Sequence, residues 1–96
     1  MRKSNQQTIG QVIQQYLKEN NLEKKFKRSH IIGSWEIIMG KVVANHTKSI
    51  VFNDKTLFLE LDSPGLRNEL SYRKAELIKK INTEAGEEII KEIIFK

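Results

Sequence analysis

The pattern of apolar and polar positions along this chain changes period three times, and each change marks an element boundary. Ile9, Val12, Ile13, Tyr16 and Leu17 recur at helical spacing and give a first helix one apolar face. Thr8 and Gln11 have the form of the capping box that opens such a helix, because a hydroxyl and a side-chain amide each satisfy a free backbone donor. Asn20-Asn21 is its stop. Leu22 and Phe26, four apart, anchor a short second helix, and a turn is expected around Ser29-His30. A third helix is predicted from Gly33 to His46. In it Trp35, Ile38, Met39, Val42 and His46 fall three or four apart and should form one core face.

From Thr47 the helical period gives way to alternation. Ile50 and Phe52 oppose Ser49, Val51 and Asn53, which predicts a strand ending in a turn at Asn53-Asp54-Lys55. In the next strand Leu57, Leu59 and Leu61 point one way, while Phe58, Glu60 and Asp62 point the other. Ser63-Pro64-Gly65 breaks that strand and starts a long helix, since proline in a first turn lacks only a donor the helix does not use. This helix should reach about Glu84 and stop at Gly86, before an isoleucine-rich strand from Glu88 to Phe95. The order α-α-α-β-β-α-β predicts an α/β domain of the α+β type: a small three-stranded sheet with helices on one face. Both faces of the last strand are apolar, so its buried side stays open.

A chain of 96 residues makes one domain, 1–96, with a core of modest margin. Residues 1–7 are polar and expected to be flexible, and no tail is expected after the last strand. The chain has no cysteine, which excludes a disulfide framework and suits a reducing cytoplasm. No apolar run approaches the roughly 20 residues that span a bilayer, so a soluble cytoplasmic protein is expected. The net charge of +5 is unevenly spread: residues 1–30 hold seven Lys/Arg against two Glu, whereas the remainder is close to balanced. Lys24, Lys25, Lys27 and Arg28 are its densest cluster, and such a patch attracts phosphate backbones by releasing counterions.

Catalytic chemistry finds little to work with. His30 and His46 are the only histidines; the second ends a predicted helix, where an imidazolium favours the negative terminus. Neither a zinc ligand set nor a phosphate-loop spacing is present, so no enzyme, metal or cofactor is expected. The long helix holds an anomaly instead. Arg67 and Lys74, seven apart, fall inside its apolar arc with Arg73 nearby. Either they snorkel over the core edge, or they form a basic rim beside the hairpin where a phosphate could sit. Phe58 and Tyr72 are the candidates for stacking on bases or for contact with a partner.

Trp35-Glu36 with Gly40, His46-Thr47, Leu57-Phe58-Leu59-Glu60-Leu61, Arg67-Asn68-Glu69-Leu70, Ile81-Asn82 with Gly86, and Ile93-Ile94-Phe95 together resemble the bacterial DciA-like family. The likeness runs from about Leu22 to Phe95. It implies a KH-like domain, and longer members are helicase loaders or operators that bind DNA and the replicative helicase. Two departures from the family are expected to matter: the Leu66 region replaces an aromatic residue common there, and the long flexible extension of longer members is lacking. The Gly-x-x-Gly clamp of KH domains is absent too, so their mode of gripping nucleotides does not carry over. The expected function is a non-enzymatic nucleic-acid-binding accessory of bacterial DNA replication. Its DNA, single-stranded or duplex, would be held by Lys24, Lys25, Lys27, Arg28, Arg67, Arg73 and Lys74. The alternative is a protein-interaction adaptor or dimerisation module. DNA against RNA, the protein partner and the oligomeric state stay open, and no membrane partner is expected.

Overall fold

A computed structural model describes residues 8–96, so the expectation of a flexible segment over 1–7 lies outside the described residues. The elements run α1 (Ile9–Glu19), α2 (Glu23–Gly33), α3 (Trp35–Met39), α4 (Lys41–Asn45), β1 (Thr47–Asn53), β2 (Thr56–Leu61), α5 (Pro64–Ser71), α6 (Lys74–Ala85) and β3 (Glu92–Phe95). The predicted α+β order holds, and so do several local signals. Thr8 and Gln11 form the reciprocal capping box of α1, Ser63 caps α5 ahead of Pro64, and Gly86 ends α6 in the left-handed conformation.

Four boundaries differ from expectation. Gly40 sits at φ 91°, a backbone region that glycine alone enters without strain, and it splits the tryptophan helix into α3 and α4. The single core face is therefore cut short: Trp35 and Ile38 are buried, but Val42 is 66% exposed. The long helix also breaks, between α5 and α6. There the N–H of Tyr72 bonds the carbonyl of Glu69 and that of Arg73 bonds Leu70, three-residue closures that tighten and end the turn. No turn forms at Ser29-His30; α2 continues to Gly33 so that Ile31 can be buried completely. Last, β3 shortens to Glu92–Phe95, because Ile89 and Ile90 are buried in the loop before it.

The sheet order is β1-β2-β3, with β1 antiparallel and β3 parallel to β2. A two-residue turn suffices for the antiparallel pair, with Asp54 at φ 59°, whereas the parallel pair needs the α5–α6 crossover. Leu57, Leu59 and Leu61 of the central strand face the helices and are buried with Ile31, Trp35, Leu77, Ile81 and Ile93. Ile93 thereby settles the buried side of β3. The other sheet face is open, and across it Val51, Phe58 and Ile94 lie in register. α1 stands apart from this core: it has no buried residue, and Ile9, Val12, Ile13 and Tyr16 are all exposed.

Two polar ties hold the helical layer to the sheet. The Trp35 indole donates to the Thr47 hydroxyl at 3.0 Å, which in turn donates to the Val43 carbonyl at 2.7 Å, so α3, α4 and β1 are joined. Asn82 of α6 grips the loop before β3. Its amide donates to the Ile90 carbonyl at 2.9 Å, while its oxygen accepts from the N–H groups of Ile89 at 3.0 Å and Ile90 at 3.1 Å. These backbone groups lie beside buried isoleucines, so the side chain replaces partners that water would otherwise supply.

Two stability predictions follow from these ties and from Gly40. Asn82→Ala should lower the unfolding free energy by about 1–3 kcal/mol, the cost of leaving such groups unpaired, read from urea midpoints at unchanged slope. Gly40→Ala should cost about 1–3 kcal/mol through backbone strain alone, since a Cβ there meets nothing within 4 Å. Gly33→Ala is the control: it lies in helical backbone with equal room, and should be neutral or stabilising by up to about 1 kcal/mol.

Candidate nucleic-acid interface

One helical face of α2 carries Lys24, Lys27 and Arg28, at spacings of three and four, with Lys25 turned aside. Their surroundings separate them by role. The guanidinium of Arg28 donates to the carbonyl of Asp54 at 2.6 Å and lies 5.5 Å from the Phe52 ring centroid, fastening α2 to the hairpin. Its Nε is buried without an acceptor. Lys27 donates to Glu87 at 2.8 Å. That hydrogen bond, with the nearby charges of Lys27, Lys55 and Lys24, holds the Glu87 carboxyl below the usual carboxylate range. Lys24 and Lys25 are exposed and make no ion pair among the described residues.

The fold adds two lysines that no sequence pattern singled out. Lys55, in the β1–β2 turn, reaches the Glu88 carbonyl at 3.2 Å. Its own carbonyl accepts from the N–H of Lys91 at 2.7 Å, which sets Lys91 beside the same turn. Each is an isolated lysine in a loop, far from α2 in the chain, so composition and spacing hold no signal for either. Only the docking of the α6–β3 loop against the hairpin unites them with α2.

The other predicted cations are not part of this cluster. Arg67 belongs to α5, and Arg73 and Lys74 sit where α6 begins, about 18 Å from its far end at 1.5 Å per residue. Arg73 clasps Glu76 through Nη2 at 3.0 Å and Nε at 3.3 Å, which raises the guanidinium pKa and lowers that of the carboxyl. Lys74 holds Glu92 at 3.1 Å. The Glu92 carboxyl is below its ordinary range, first because the N–H of Ile93 donates to it at 2.8 Å and then because of Lys74. Only Arg67 of these three has no acidic partner among the described residues. Arg67 and Lys74 do meet, along a groove beside β3 rather than beside the hairpin, lined also by Pro64, Asn68, Ser71 and Phe95.

Phe58 is half-buried on the open sheet face, where the Lys96 ammonium lies 5.5 Å from its ring centroid, a cation–π distance. Tyr72 is 82% exposed at the α5–α6 break. His46 ends α4 and bonds Asp62 at 2.7 Å, and this bond lowers the Asp62 carboxyl; the N–H of Asp62 returns to the His46 carbonyl at 3.0 Å. The pair ties the end of α4 to the end of β2. Among the described residues no cluster of His, Cys, Asp or Glu could hold a metal ion, and no helix is long and apolar enough to cross a membrane.

A UPF0232 protein of Corynebacterium glutamicum is 24% identical over 91% of this chain and 49% of its own length. One from Mycobacterium tuberculosis is 21% identical over 91% of this chain and 46% of its own. The chain thus spans about half the length of the curated relatives it matches. No solved structure matches it, so the KH-like expectation has no structural neighbour behind it. The family model described as Dna[CI] antecedent, DciA matches residues 8–95, and the chain belongs to the DciA family.

Proposed function

We propose that this chain is a non-enzymatic, nucleic-acid-binding accessory of bacterial DNA replication in the cytoplasm, related in role to the helicase loaders its family resemblance suggests. DNA phosphates meet it at the end formed by α2, the β1–β2 turn and the α6–β3 loop. The observation that carries this reading is the way the fold gathers three segments at one end, where Lys27 of α2 meets Glu87 at 2.8 Å, Lys55 of the β1–β2 turn meets the Glu88 carbonyl at 3.2 Å, and Lys24 stays exposed. Lysines brought together from separate segments offer a phosphate several ammonium partners, with Lys25 and Lys91 exposed alongside. Arg28 serves this face by holding the hairpin to α2 rather than by touching phosphate.

Replacing Lys24, Lys25 and Lys55 together by Gln should weaken binding to single-stranded and duplex DNA and make the salt dependence shallower by about three units of slope, one per lost phosphate contact. Fluorescence anisotropy across a salt series measures both quantities, and an unchanged slope removes this face from the interface. Glu87→Gln should act in the opposite sense and raise affinity about threefold, the scale of one exposed ion pair. In the parent protein DNA affinity should also rise as acid protonates Glu87, and the variant should lack that rise.

A protein partner is favoured by a separate observation, the exposed apolar face of α1 formed by Ile9, Val12, Ile13 and Tyr16. On this reading α1 lies against the replicative helicase while the basic end holds DNA. The double variant Val12→Glu, Tyr16→Glu should lose co-elution with purified helicase at high salt and keep its DNA affinity. Loss of both together would show that the two faces act as one.

A further inference from the structure

A different surface, the free edge of β3, carries an inference beyond DNA binding. Lys96 bonds β2 in both directions, its N–H to Leu59 at 2.8 Å and its carbonyl from Leu61 at 3.2 Å. Backbone groups of successive strand residues alternate in direction, so those of Ile93 and Phe95 point away from β2, toward the groove that α5 borders. One of these outward groups is already occupied in a telling way. The N–H of Ile93 donates to the Glu92 carboxylate, which Lys74 holds in place from the start of α6. An oxygen acceptor thus sits where the carbonyl of a neighbouring strand would come. The N–H and carbonyl of Phe95 and the carbonyl of Ile93 have no partner among the described residues.

The groove is formed to receive a chain rather than a single ion. Pro64, Ile93 and Phe95 supply apolar lining, Asn68 and Ser71 supply polar groups, and the charged residues lining it are Arg67 and Lys74. Both charges are positive, and Arg67 is unpaired among the described residues. We propose that an extended acidic peptide segment of a partner protein adds to β3 as a fourth strand, its backbone pairing with Ile93 and Phe95 and its carboxylates meeting Arg67 and Lys74. Glu92 holds the edge closed until then, as charged residues blunt free strand edges elsewhere. Main-chain hydrogen bonds provide the affinity and the two cations provide the choice of sequence. Nucleic acid suits the groove less well, since one free cation gives little counterion release.

The proposal stands apart from DNA binding at α2, and its test uses the whole chain labelled with nitrogen-15. The probe is a capped octapeptide alternating glutamate with valine; the comparators carry lysine for glutamate or N-methyl groups on alternate amides, and oligothymidylate is a fourth ligand. The acidic peptide should shift the amide resonances of Ile93 to Phe95 and of Arg67. Arg67→Glu should weaken it about tenfold, and Glu92→Ala, which clears the edge, should tighten it severalfold. Phe95→Pro removes an outward N–H that β2 does not use and should also weaken it, with thermal unfolding checking the fold. Equal affinity for the lysine or N-methylated peptide overturns the proposal. So does the absence of shifts at millimolar peptide in both the parent and Glu92→Ala, or oligothymidylate moving these amides where the peptide does not.

Discussion

The parallel docking of β3 on β2 is the constraint on which the rest of this structure depends. Antiparallel β1 and β2 close through a two-residue turn and need no help from afar, but a parallel partner must be brought back over the sheet. That requirement places α5 and α6 over Leu57, Leu59 and Leu61 and buries Leu70, Leu77 and Ile81 against them. The return then depends on Asn82. By holding the backbone of Ile89 and Ile90 it turns the chain out of α6 and aims Ile93 into the core. The same turn delivers the N–H groups of Lys91 and Glu92 to the carbonyl of Lys55, so the hairpin end and the start of β3 are fixed together. Both surfaces with functional promise, the lysines near Glu87 and the edge groove, are consequences of that one docking.

Local chemistry made much of this legible in the sequence. The capping box at Thr8, the alternation of leucines in β2 and the Ser63-Pro64 start of α5 each depend on residues within a few positions, and each is found where the pattern puts it. The split at Gly40 was not legible, because helical spacing runs on from Trp35 to His46 across it while its positive φ ends α3 and leaves Val42 exposed. The break at Tyr72-Arg73 carries no glycine or proline at all. Leu70 before it and Leu77 after it are both buried, a pair that one continuous helix would also place on a common face, so the sequence pattern holds no signal for the break. Likewise the stretch before β3 reads as strand from its isoleucines, yet Ile89 and Ile90 are buried by a side-chain clamp rather than by a ladder.

Charge was less legible than fold, because a count of cations does not say which are spent. Lys27, Arg28, Arg73 and Lys74 all lie in or near runs that look like phosphate sites. Each is engaged within the molecule: with Glu87, the Asp54 carbonyl and the Phe52 ring, Glu76, and Glu92. Lys27 finds its partner 60 residues along the chain and Arg28 finds a carbonyl 26 residues along, separations over which sequence spacing is silent, while Arg73 pairs three residues on, where spacing is ambiguous. The useful distinction is between cations that fasten and cations left over. Arg28, stacked and hydrogen-bonded, fastens; Lys24, Lys25 and Arg67 are left over.

Lys24 and Lys25 belong to α2, which is tied to the residues after α6 through Lys27 and Glu87, whereas Arg67 shares its groove with Lys74 at the start of α6, a helix about 18 Å long. The two proposed sites are therefore linked through α6. It is poorly placed to move: Leu77 and Ile81 are buried, His30 reaches Glu84 at 3.3 Å, and Asn82 is committed to the loop. A helix so anchored at several points fixes the geometry between the two proposed sites. If both proposed ligands bind, a fixed separation brings the second to the first at a set effective concentration without a switch.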